Sequence, residues 1–272
     1  VAMLIWHQLL GKPRDVSGGD AQRGSLLGPS WTNEEVGAFL ASVGAKSTRC
    51  ASENDLCELV AEQIDRGKVI GWFQGGMEFG PRALGARSIL GDARSTTMQS
   101  SMNLKTKFRE SFRPFAPSVL QERVGDYFQV RPNQPSPYML LVAPVRAERR
   151  MEPAANGALK GIDAVRAARS EIPAVTHVDY SARMQTVDAT RSPRYHALLK
   201  AFERRTGCPV IINTSFNVRG EPIVCTPEQA YRCFMATNMD VLVLQDFVLF
   251  KGDQPEAVTH DAVSYTHLRA HE

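Results

Sequence analysis

The feature that most constrains this chain is an apolar run, Lys68–Phe73 (KVIGWF), that passes almost directly into a loop of glycines and arginines, Gly75–Ser88. A short apolar run ended by glycines reads as a buried strand. Glycine lets backbone N–H groups approach an anion closely, and Arg82 and Arg87 add full charges to the same loop. A second stretch, Lys107-Phe108-Arg109-Glu110-Ser111-Phe112-Arg113-Pro114, is built alike. The guanidinium fork matches phosphate or carboxylate oxygens bidentately. Cations held on tight loops therefore predict a site for a small, highly charged anion. The plainer alternative is a strand–loop–helix connection whose arginines pair with Glu78 or Asp92. The loop alone does not choose between the two.

The rest of the chain alternates helix and strand patterns, which predicts an α/β domain with a mixed sheet. Thr32-x-x-Glu35 is a capping box that opens a helix with Val36, Phe39, Leu40 and Val43 on its apolar face. A second helix is expected near 54–66, stopped by Gly67, and a third over 96–107. Tyr138–Val145 reads as a strand, 146–171 as an exposed insertion, and Val175–Val187 as two short strands around Arg183. Ser192-Pro193 has the form of a helix start and Gly207 of its end. Pro209–Asn213 is a short buried strand. Thr226-x-x-Gln229 is another capping box, for a helix to about Thr237. Val241–Leu244 and Phe247–Phe250 close the pattern as a hairpin.

Composition narrows the function classes. Formal net charge is only +3 over 272 residues, so the whole-protein field does not argue for nucleic acid, and the basicity is local. Cys50, Cys57, Cys208, Cys225 and Cys233 are odd in number and form no C-x-x-C pair, which argues against a disulfide framework or a zinc ribbon and for a reducing, cytoplasmic setting. Apolar runs are too short for a membrane helix.

Two later elements sharpen the site. Lys107-x-Arg109 is joined by Ser215-x-Asn217, which follows the strand at 209–213 and ends in the turn Val218-Arg219-Gly220. Short hydroxyl and amide side chains just past the carboxyl end of a strand sit where α/β sheets bind ligands. An Asx-type turn satisfying its own backbone is the alternative.

From about residue 1 to 251 the chain resembles the C-terminal half of the O-carbamoyltransferases that act on nodulation factors and on cephem and tobramycin antibiotics. The segments that carry the resemblance are GMEFGPRALGARSILGDAR, KFRESFRPFAPSVL, SPYMLLVAP, THVDYSARMQTV and NTSFNVRGEPIVCTPEQA. It implies a YrdC-like fold, an α/β twisted mixed sheet flanked by helices. It also implies that this domain binds carbamoyl phosphate and ATP, the ATP as substrate with Mg2+, and makes carbamoyl-adenylate. The residues it assigns to the phosphates are Arg82, Lys107, Arg113, Arg183 and Ser215, with Arg82, Lys107 and Arg113 as the catalytic set. Arg87, Arg109 and Asn217 form a second tier. His177 ranks as a structural histidine ahead of a general base.

The resemblance further implies an N-terminal domain in cis, similar to the actin-like ATPase fold. That domain would hold a metal ion and pass the carbamoyl group to the hydroxyl of a small-molecule acceptor. Residues 1–24 are then the last helix of that domain and a linker. Residues 25–252 are the C-terminal domain. Residues 253–272 are a disordered or non-native tail whose His260, His267 and His271 lack the partners of a metal site. One departure stands out: family members usually carry arginine where this chain has Gly76. Competing readings are an RNA-binding module, disfavoured by modest charge and by a lack of stacked aromatics beside the basic residues. The other is an enzyme carbamoylating a protein cysteine, disfavoured because zinc-finger cysteines and an acylphosphatase-like segment are missing.

Overall fold

The computed structural model describes residues 1–14, 19–132, 134–151 and 167–255. Its elements in order are α1 (Ala2–Leu4, continued by a π turn, Ile5–Leu9), α2 (Asn33–Ser42), β1 (Thr48–Arg49), α3 (Glu53–Asp65), β2 (Ile70–Phe73), β3 (Arg87–Asp92) and α4 (Met98–Lys105). They continue with β4 (Ala116–Leu120), α5 (Val124–Tyr127), β5 (Leu141–Pro144), β6 (Ser181–Val187), α6 (Pro193–Thr206), β7 (Val210–Ser215), α7 (Pro227–Ala236), β8 (Val241–Leu244) and β9 (Phe247–Phe250). Among the described residues the strands form one nine-stranded sheet in the order β1-β9-β8-β2-β3-β7-β4-β6-β5. The pairs β2–β8 and β4–β6 are parallel. The others are antiparallel. This is the mixed α/β sheet flanked by helices that the alternating pattern predicts.

Local chemistry explains most boundaries. Both capping boxes form: Thr32 with Glu35 and Thr226 with Gln229 exchange side-chain and backbone hydrogen bonds. Pro193 opens α6 and Gly207, at φ +74°, ends it, but the Ser192 side chain caps nothing. The two strands expected over 175–187 are instead a 3-10 turn at Pro173–Val175 and the single strand β6. Tyr180, at φ +64°, lies just before that strand, and its N–H bonds His177 O in a tight turn. Strands β3 and β4 go unread in the sequence. The first begins at Arg87, inside what looks like a loop. The second carries Pro117, which removes a ladder donor and so weakens the strand pattern. Of the predicted insertion, residues 152–166 lie outside the described residues, as do 256–272 of the predicted tail.

The segment read as a linker is bound to the body. Asp20 accepts hydrogen bonds from Tyr138 and Arg191, and Phe79 N–H donates to Ser25 O at 2.7 Å. Gly28 N–H reaches Met77 O and Met77 N–H reaches Pro29 O, both at 2.9 Å. Residues 20–29 thus run as a strap along the start of the glycine-rich loop.

Register places the site. Ser88 pairs with Ser215, Leu90 with Asn213, Ala116 with Asn213, and Ser118 with Gln185. Side chains alternate along a strand, so Ser88, Ser118, Arg183, Gln185, Asn213 and Ser215 share one face near one end of the sheet. Helices α3 and α6 pack against each other, tied by Arg194–Glu53, Arg204–Glu58 and Arg205–Asp65 ion pairs. Tyr195 of α6 packs directly beneath Gly85 in the glycine-rich loop. Across the sheet, Met98 and Met102 of α4 close on Gly91.

A Cβ at Gly85, whose φ is +108°, would lie 2.3 Å from the Tyr195 ring. Gly85→Ala is expected to cost roughly 2–4 kcal/mol from backbone strain and overpacking together, read by chemical denaturation. A loss under about 0.5 kcal/mol, the range of a neutral surface change, would show that the loop does not press on α6 as described.

Candidate functional site

The loop between β2 and β3 is almost fully accounted for by hydrogen bonds. Gln185 Nε2 donates to Leu84 O at 2.8 Å, and Asn213 Nδ2 to Ala83 O at 3.1 Å. Trp72 Nε1 donates to Gly85 O at 2.9 Å. The Glu78 carboxylate, buried, accepts from Leu84 N–H and Ala86 N–H at 2.7 Å and from Arg87 N–H at 3.2 Å. Buried backbone groups left unpaired cost about as much as a lost hydrogen bond, and here nearly every one from 83 to 87 has a partner. Gln185 also accepts from Ser118 Oγ at 2.7 Å and from Asn213 at 2.8 Å, so three strands hold the loop through one buried amide pair.

Arg87 is the first expectation to change. It is fully buried, with Nη1 donating to Gln74 O and Ala86 O and Nη2 to Pro29 O and Gly75 O. Its guanidinium lies 3.5 Å from the centre of the Phe73 ring. Burial pulls its pKa down to about 10, partly offset by the Glu78 charge. Arg87 clamps the strap to the loop and offers no open face to a phosphate.

The K-x-R and S-x-N elements, 108 positions apart, meet directly. Lys107 is buried, and its Nζ faces Ser215 O, Ser215 Oγ (3.2 Å), Asn217 O (2.9 Å) and Asn217 Oδ1 (2.8 Å). Ser215 Oγ donates to Asn217 Oδ1 at 2.6 Å, and Asn217 Nδ2 to Glu221 O at 2.7 Å. The turn satisfies its own backbone, as the plainer reading has it, and does so through a lysine from the other element. Lys107, expected to touch phosphate, instead shapes the turn that carries Ser215. Burial, then the Arg109 charge, push its pKa down to about 7.

The remaining cations are freer. Arg109 is half-buried, stacked 4.8 Å over Phe115, with Nε donating to Asn103 Oδ1 at 2.5 Å. Asn103 also donates to Ser111 O and Arg113 O, so one buried amide sets the course of the 107–113 loop. Arg113 is exposed and only loosely paired with Glu110, at 3.7 Å. Arg82 makes no hydrogen bond or ion pair among the described residues, and its charge lies close enough to Arg183 to lower the Arg183 pKa, after burial. The Arg183 Nε is buried without a hydrogen-bond partner, and Nη2 meets only the Met139 sulfur, at 3.8 Å. Two guanidinium charges within electrostatic reach of each other, neither in an ion pair among the described residues, form the kind of arrangement an anion completes. His177 sits near Arg183, and burial lowers its pKa.

Sequence reasoning offered Glu78 only as an arginine partner, not as an acceptor of backbone N–H groups, and missed Asn103, Gln185 and Asn213 as holders of the loops. Buried amides leave no periodicity to read. Phe108 and Phe112 are 44% and 42% exposed among Lys107, Arg109 and Arg113. Among the described residues, no three His, Cys, Asp or Glu side chains gather as a metal site. None of the described helices is long and apolar enough to cross a membrane.

Fold and site together define an α/β domain with cationic loops gathered at one end of its sheet. The chain belongs to the carbamoyltransferase C-terminus family, which it matches over residues 61–251. It is 58% identical over 257 residues to the Synechocystis sp. protein sll1178, an alignment covering 94% of this chain and 42% of that protein. It is 41% identical to nodulation protein NolNO of Sinorhizobium fredii, covering 73% of this chain and 26% of the relative. It is 38% identical to the 3'-hydroxymethylcephem-O-carbamoyltransferase of Streptomyces clavuligerus, covering 61% and 27%. The chain therefore spans less than half the length of these relatives.

Lys107 gives a pH test. Its folded pKa, about 7, lies below the unfolded value, 10.5. The unfolded chain thus holds one more proton between those values, and stability must rise with pH across that window. The penalty for the buried charge is complete below pH 7 and relieved above it. Lys107→Met is expected to flatten the rise in thermal midpoint between pH 7 and 9.5. An unchanged slope would mean that Lys107 stays charged.

Proposed function

We propose that this domain binds carbamoyl phosphate and ATP and joins them as carbamoyl-adenylate, for later transfer of the carbamoyl group to a small-molecule hydroxyl. The observation that carries this is the buried Arg183 Nε left without a hydrogen-bond partner, on an arginine that makes no ion pair among the described residues and feels the charge of Arg82. Family membership supports the carbamoyl chemistry, and one relative is the 3'-hydroxymethylcephem-O-carbamoyltransferase of Streptomyces clavuligerus.

The residues fit the needs of that reaction. Water releases carbamate and phosphate from carbamoyl phosphate. A carbamate oxygen then attacks the α-phosphorus of ATP, and pyrophosphate leaves with the bond electrons. Two polyanions must share one site, so their repulsion has to be offset before the reacting atoms approach. In this reading Arg82 and Arg183 hold the phosphoryl group of carbamoyl phosphate, and Arg109 and Arg113 hold ATP phosphates at the neighbouring loop. Lys107 fixes the turn that presents Ser215 and Asn217 at the sheet end. Fixed cations of this kind stabilise developing charge without reorganising during the reaction. Any metal travels with ATP as part of the substrate. Transfer to the acceptor, and the upstream domain that performs it, are part of the same proposal, since the relatives extend well beyond the matched region.

An RNA-binding role is the second reading, favoured only by the exposed Phe108 and Phe112 beside cations. Pyrophosphate release from ATP should depend on carbamoyl phosphate. Arg82→Ala and Arg183→Ala should each weaken carbamoyl phosphate binding by roughly 10- to 100-fold, the worth of one charged hydrogen bond, with the fold intact by circular dichroism. Equal binding by both variants and the unsubstituted protein would remove the pair from the site. Salt-sensitive capture of RNA without any carbamoyl phosphate binding would favour the second reading.

A further inference from the structure

The N–H groups that follow Arg82 are the surprise of the site. A glycine-rich turn with several backbone N–H groups converging on one point makes an anion nest. Here the N–H groups of Leu84, Ala86 and Arg87 do converge, but on the carboxylate of Glu78, six to nine residues earlier in the same loop. Glu78 is buried, its Oε2 makes no hydrogen bond among the described residues, and the nearby positive charge is the equally buried Arg87. The nest is filled by the protein itself. Leu84 O and Ala83 O are meanwhile fixed to the sheet by Gln185 and Asn213, and Ser88 Oγ accepts Gly85 N–H at 3.1 Å.

We propose that Glu78 is an internal anion that folds the loop ahead of any ligand, and is thereby the positioning residue for Arg82. It stands in for the phosphate that such a loop takes in other architectures. Two consequences follow. The substrate anion is held by side chains at the mouth of the loop, chiefly Arg82 with Arg183, and not by the loop's backbone. The site is preformed, so binding does not wait for the loop to close. The chemistry also explains a carboxylate where an amide would reach as far. A charge-assisted acceptor binds three N–H groups more strongly than a neutral one, and the negative charge offsets buried Arg87, which has only neutral carbonyl partners.

This inference rests on the reading of Arg82 as an anion ligand, and a double-mutant cycle separates the two. Carbamoyl phosphate is titrated calorimetrically into the full chain and its Glu78→Gln, Glu78→Ala, Arg82→Ala and Glu78→Ala/Arg82→Ala variants. Hydrogen exchange at the amides of 84, 86 and 87 and the thermal midpoint are followed in parallel. Glu78→Gln keeps an acceptor but leaves Arg87 uncompensated, so it should lower the thermal midpoint yet bind within about 3-fold of the parent. Glu78→Ala should lose protection at the three amides and bind at least 10-fold more weakly. The double variant should bind no worse than Arg82→Ala alone, because Glu78 acts through Arg82. If Glu78→Ala does not fold, Glu78→Asp, with the charge kept and the reach shortened, takes its place in the cycle.

Additive losses in the double variant would overturn the positioning role while leaving Arg82 as a ligand. Tighter binding by Glu78→Ala, or ligand-induced exposure of the three amides, would overturn it too, by making Glu78 a plug that substrate displaces. Loss of neither affinity nor selectivity in Arg82→Ala would instead sink the underlying reading.

Discussion

The structure depends on one requirement: the segment from Ala83 to Arg87 crosses the end of the sheet buried, so its backbone polar groups must find partners inside the protein. Water cannot reach them, and each unpaired group costs free energy. Glu78 takes N–H groups, while Gln185, Asn213 and Trp72 donate to carbonyls. Arg87 closes the frame from behind, donating to carbonyls of the strap, of the end of β2 and of its own neighbour. These partners come from five separate stretches of chain. Once they are in place, the loop has little freedom left, and Arg82 is displayed from a fixed base.

The second loop repeats the principle with a different device. There a lysine replaces the carboxylate as the buried charge, and carbonyls and amide oxygens replace N–H groups as its ligands. Lys107 draws in the Ser215–Asn217 turn, and Asn103 holds the path from Arg109 to Arg113. Each loop therefore commits one buried ionisable side chain to architecture and leaves other cations more accessible. The two cations of K-x-R differ in setting: the lysine is buried in the turn, and the arginine is half-buried on Phe115. The same difference separates Arg87 from Arg82.

Much of this was legible in the chain. The buried strand at 70–73, both capping boxes, the stop at Gly207 and the closing hairpin follow from local patterns that carry their own physics. The structure also brings K-x-R and S-x-N, both singled out in the sequence, into direct contact. What stayed hidden has a common cause. Strand β4 was masked by Pro117, and β3 by the cationic residue that begins it, because a fully buried arginine has no signature that separates it from an exposed one. The strap at 20–29 has the composition of a linker, and its order comes from Asp20 finding Tyr138 and Arg191 far along the chain.

The sequence by itself determined the class of the domain, the placement of most elements and the family, because hydrophobic periodicity, caps and long motifs are local properties written in consecutive residues. Tertiary structure alone decided which cations face solvent and which are consumed inside. Arg82 and Arg87 lie five residues apart in the same motif, yet one is half-exposed and the other is surrounded by carbonyls. That difference arises from strand register and from which distant carbonyls, amides and carboxylates are brought within about 3 Å, the reach of a hydrogen bond, and no local pattern encodes it.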